Sequence, residues 1–180
     1  MKVDIVGSEQ KRFFSLLEVV QREGRALLAT DARLFASTVD AAWVKQFEVE
    51  DELAERFEAF VSRFGRMQDT LGEKLLPSLL RLLEENPGSV LDNLNRAEKL
   101  GLLTSVVGWR DARSLRNKLI HEYLVDPEEF ALALNHAHTA VQLLVSTYNA
   151  IHLFARARIS ATAWPGSLPV DHAQKQAMRP

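Results

Sequence analysis

At 180 residues, with 47% hydrophobic and 26% charged residues, eight glycines and six prolines, the chain has the composition of a folded globular protein large enough for one sizeable core. It has no cysteine, which excludes disulfides and thiolate metal sites, and its formal charge of −2 argues against binding nucleic acid by bulk charge. The opening MKVDIVGSEQKRFF is charged early and has no long apolar stretch, and no uncharged apolar run of about 18 residues occurs, so neither a signal peptide nor a membrane span is expected and a cytoplasmic location is.

Almost all of the chain reads at helical period. Ser8 suits an N-cap, and Phe13, Leu16, Leu17, Val20 and Leu27 follow on one side. Thr30-Asp31 is expected to break that helix and cap a second carrying Leu34, Phe35 and Val39; residues 39–49 show no clear period. A third helix is expected from Glu50, with Leu53, Phe57, Phe60, Phe64, Met67 and Leu71 spaced alternately four and three, a heptad suited to long, nearly antiparallel packing. Asp69 and Glu73 form an i, i+4 carboxylate pair flanked by Arg66 and Lys74, which reads as a solvated face. Pro77 should kink or break the helix near Leu76, and Asn86-Pro87-Gly88 is a turn.

Ser89 with Asp92 predicts a capping box for a short helix that Gly101 ends. A further helix is expected from Ser105 to Leu124. Asp126-Pro127-Glu128-Glu129 has the N-cap, the proline and the acids of a strong helix start, and Phe130, Leu134, Ala137, Val141, Leu144, Tyr148 and Ile151 continue it to about Phe154. His136 and His138 point about 200° apart on a helix and cannot share a metal ion, while His152 and His172 have no companions. Residues 160–180 lose periodicity around Pro165, Gly166, Pro169 and Pro180. The expectation is an all-α antiparallel bundle of five to six helices over 1–158, with a loosely ordered tail over 159–180.

Chemistry concentrates in Arg116-Asn117-Lys118-Leu119-Ile120-His121-Glu122-Tyr123. Histidine moves protons near neutral pH, and arginine offers a planar fork of donors that matches phosphate oxygens. Asn117 and His121 share one helical stripe, whereas Arg116 and His121 stand about 140° apart. Arg116 must therefore bend round, or a second copy of the helix must complete the site. Arg110, Arg113, Arg116 and Lys118 stand against one acid, Asp111, and form the local basic window that RNA contact requires. Tyr123 has two readings: a ring that closes the helix end with its hydroxyl wet, or a functional group.

The run RNKLIHEY followed by VDPEEF resembles the signature of the HEPN superfamily, and within it the HepT-type toxins encoded beside a minimal nucleotidyltransferase; the resemblance spans roughly residues 90–145. It implies a HEPN-like bundle and a metal-independent endoribonuclease toxin without a cofactor, in which Arg116, Asn117 and His121 are catalytic and Arg110, Arg113 and Lys118 hold RNA. It further implies a homodimer whose two motif helices line one cleft, and a cognate nucleotidyltransferase antitoxin that adenylylates Tyr123. Two other classes retain the same motif: a non-catalytic partner of a nucleotidyltransferase, and a helical scaffold whose site has decayed.

Overall fold

Leu53, Phe57, Phe60, Phe64, Met67 and Leu71, spaced alternately four and three, are all buried along one face of a helix. The computed structural model describes residues 2–121 and 126–170. Its helices are α1 (Lys2–Leu34), α2 (Ala41–Lys45), α3 (Asp51–Thr70), α4 (Leu76–Leu82), α5 (Val90–Lys99), α6 (Val106–His121) and α7 (Pro127–Arg156). A 3-10 turn follows α2 at Gln46–Glu48, and a π-helical turn, Leu71–Leu75, joins α3 to α4. The described residues contain no strand.

Side-chain pairs between helices give the directions. Arg63 donates to Thr30, and Thr70 donates to Glu23, so α3 runs antiparallel to α1. Arg116 meets Asp69 while Arg113, earlier on α6, meets Glu73, later in the chain, so α6 is antiparallel to α3. Lys118 reaches Glu129 while Gly108 faces Leu143, so α7 is antiparallel to α6. Four long rods, α1, α3–α4, α6 and α7, thus form an antiparallel bundle around one core that reaches from Phe13 to Leu168. The phenylalanine stripe is core: Phe57 meets Phe130 edge-on at 5.1 Å, and Phe60 meets Phe35 at 5.5 Å.

Four details differ from the sequence expectation. α1 runs unbroken through Thr30-Asp31 to Leu34. Thr30 Oγ1 donates to the carbonyl of Ala26 one turn back, and buried Asp31 pairs with His138 Nδ1 at 2.7 Å, so neither side chain is used as a cap. Residues 39–49 are α2 and its 3-10 turn, capped by Asp40 and anchored by buried Trp43 and Phe47. Pro77 does not break the rod. The π-turn before it, in which the Leu76 N–H donates to the Leu71 carbonyl, carries the helix past the missing donor.

The last correction concerns the tail, whose described part, to Val170, is docked. Asn149 brackets Leu168 by donating to its carbonyl and accepting from its N–H. Gln21 and the Tyr148 hydroxyl donate to the Gly166 carbonyl, and His152 Nε2 donates to that of Pro165. Trp164 lies edge-on to both Phe14 and His152. Leu168 is 2% exposed.

Candidate functional site

Two glycines fix how α6 lies on α3. A Cβ at Gly65 would stand 2.6 Å from Arg116 Cδ, and one at Gly72 would stand 2.9 Å from Trp109 Cζ2. Both pairs are seven residues apart, so in an antiparallel register Gly72 receives Trp109 where Gly65 receives Arg116. Gly72 lies within the π-turn. The motif helix therefore sits close enough for the side chain of Arg116 to lie along α3.

Arg116 occupies that notch with a side chain only 15% exposed. Its NH1 donates to both carboxylate oxygens of Asp69, at 2.9 Å each, and its NH2 lies 3.5 Å from Asn117 Oδ1. Its Nε is buried without a partner. Asp69 thus draws a guanidinium rooted on the inner side of α6 into the α3–α6 seam, where it meets exposed Asn117. One turn along the seam, Arg113 pairs with Glu73 at 3.1 Å. Lys118, on the other flank of α6, pairs with Glu129 of α7 at 3.4 Å, and Arg110 is exposed. His121 closes α6, and its side chain lies outside the described residues, as does Tyr123 entirely.

The structure brings together Arg116, Asn117 and Arg113 along one seam and turns Lys118 toward α7. Asp69, Glu73 and Glu129 complete the site, and the sequence reading did not assign them to it. Asp69 and Glu73 stay open to solvent, as the sequence suggests, and each also carries an arginine of α6. The usable signal was the match of two carboxylates four apart on one helix to two arginines three apart on another. Beside the seam, Phe57, Glu58, Val61, Ser62, Leu119 and Ile120 line an open cavity of about 410 Å³, adjacent in sequence to His121.

His138 serves elsewhere. It pairs with Asp31 and stacks on Phe35 at 4.1 Å, fastening α7 to α1. The described residues contain no group of three or more His, Asp or Glu side chains placed to hold a metal ion, and no described helix is long and apolar enough to cross a membrane. Set against protein-family models, curated proteins and solved structures, the chain matches none of them.

Proposed function

We propose that the chain is a HEPN-type endoribonuclease toxin that cleaves RNA without a metal ion, acts as a homodimer and is neutralised by a cognate nucleotidyltransferase. The observation that carries this reading is the guanidinium of Arg116, held in the α3–α6 seam beside Asn117 on the helix that ends in His121. A guanidinium held in place from behind by a carboxylate, with its NH2 turned toward an exposed amide, is suited to grip a phosphodiester. In the proposed reaction His121 takes the proton of the ribose 2′-hydroxyl. The 2′-oxygen bonds to the adjacent phosphorus, the bond to the 5′-oxygen breaks, and that oxygen leaves with a proton. Arg116, with Asn117, offsets the extra charge of the pentacoordinate state. The products are a 2′,3′-cyclic phosphate and a 5′-hydroxyl, and DNA is inert because it lacks the nucleophile. Two α6 helices facing each other across a two-fold axis would supply Arg116 and His121 from different copies, which answers their separation of about 140° on one helix.

RNA incubated with the protein in EDTA should be cut, and His121→Ala and Arg116→Ala should each remove most of the activity while circular dichroism and the dimer persist. Cleavage that survives in both variants would overturn the assignment. After co-expression with the nucleotidyltransferase, intact mass should show AMP added to the wild type and none to Tyr123→Phe.

A second reading is favoured by the carboxylates on Arg113, Arg116 and Lys118, which leave the motif helix with little free positive charge. In it the chain is a non-catalytic subunit that binds a nucleotidyltransferase. Complex formation with no RNA cleavage by either the free chain or the complex would select it.

A further inference from the structure

Two of the four cations in the basic window of α6, Arg113 and Arg116, are each matched by a carboxylate along the seam. Asp69 of α3 and Glu73 of the π-turn that follows it meet Arg116 and Arg113, three apart on α6. Residues three apart on an α-helix are neighbours on its surface, so Arg113 and Arg116 hold two carboxylates in a row along the seam, each on a guanidinium. Both stay open to solvent, Asp69 at 42% and Glu73 at 41% of the side chain. A carboxylate and a phosphate compete for the same fork of guanidinium donors. Every phosphate that reaches these arginines must therefore displace a carboxylate or sit against it.

We propose that Asp69 and Glu73 form an intramolecular phosphate mimic that occupies the RNA-binding arginines and sets how tightly the seam takes a single-stranded RNA backbone. This rests on the RNA reading of the preceding section and adds regulation of that site. The carboxylates weaken binding in two ways. Each repels an incoming phosphate, and each must recruit a solution cation once its arginine is taken, which reduces the net release of counterions. Partners or conditions that neutralise the acidic pair would open the seam without moving a helix.

The test compares wild type with Glu73→Gln, Asp69→Asn and the double variant. The probe is a fluorescent single-stranded oligonucleotide fully methylated at its 2′-oxygens, which binds but cannot be cut by 2′-oxygen attack. Anisotropy titrations run over a series of salt concentrations, with circular dichroism confirming the helices. Removing the Glu73 carboxylate should tighten binding about two- to five-fold, the range for an exposed ion pair, and removing that of the more buried Asp69–Arg116 pair at least as much. The slope of log affinity against log salt should steepen by up to about 0.7 for each arginine unmasked. Equal or weaker binding by the variants, with wild type still binding, would overturn the mimic and leave the RNA reading standing. Absence of binding by every protein at low salt would overturn both. Should Asp69→Asn lose helical content, Glu73→Gln alone decides, since the Arg113–Glu73 pair is exposed on both sides.

Discussion

Arg116 can lie in the seam because Gly65 has no side chain, and that dependence is measurable. Replacing glycine by alanine inside a helix stabilises by about 1 kcal/mol on backbone grounds. In an Arg116→Ala background the notch is empty, so Gly65→Ala should give that gain in full. In the wild type the new methyl would meet Arg116 Cδ and dislodge the guanidinium from Asp69, so the gain should shrink or reverse through a coupling of about 0.5–3 kcal/mol. Urea denaturation of the four proteins of this cycle is the check, and equal gains in both backgrounds would show that the notch does not seat Arg116. Glu23 offers a second residue-scale prediction. Burial raises its carboxyl above the ordinary 4.5, while the hydrogen bond from Thr70 and the charges of Arg66 and Lys74 pull the other way. A raised folded value means stability that is present below pH 4.5 and is lost as pH rises through the folded pKa. Glu23→Gln should therefore gain on wild type as pH rises from about 4 to 7, and a pH-independent difference in denaturation midpoint would refute this. That Arg116 and Asn117 lie side by side was legible in the sequence, because their contact is local. The pairing of Arg116 with Asp69 was not, because contact across α3 and α6 depends on a register that the two glycines set from outside the motif.

Elements were readable where their signals act within one turn. Ser89 and Asp92 form the reciprocal capping box that their spacing predicts, and Gly101, at φ +70°, follows α5 in the left-handed conformation. Asp126 caps α7 by accepting from the N–H groups of Glu128 and Glu129 at 2.9 and 3.4 Å. Asp126→Ala should cost about 1 kcal/mol, read as a lowered denaturation midpoint at unchanged slope, and an unaffected midpoint would show that the cap contributes nothing. Thr30-Asp31 has the same residue types as a cap yet sits inside α1. Its bonds run back to Ala26 and out to His138, 107 residues away, a partner that no local pattern contains. Pro77 likewise marked a real disturbance, but the π-turn before it keeps the rod continuous, and Trp109 packing on Gly72 buries that turn against α6.

At the scale of the molecule, the all-α antiparallel bundle followed from heptad spacing, whereas the docking of residues 160–170 did not. Periodicity registers side chains that repeat on a face. This segment is held instead by side chains of α1 and α7 that bond its backbone carbonyls, together with Leu168 and Trp164 as anchors. Leu168→Ala should cost about 2–5 kcal/mol, the range for a fully buried leucine, and a thermal midpoint within error of wild type would mean that the segment is only draped on the surface. This strap closes contacts across most of the chain, with Gln10 bonded to Ser160 and Gln21 to Gly166, 150 and 145 residues apart. Its consequence is temporal. α1 is made before the other helices of the bundle, yet the trough between Phe14, Gln21 and Gly24 stays bare until α7 and the residues after it have been made. The helix of this bundle made earliest is the last to be sealed, and the meeting of segments about 150 residues apart, rather than helix formation, sets when the bundle is complete.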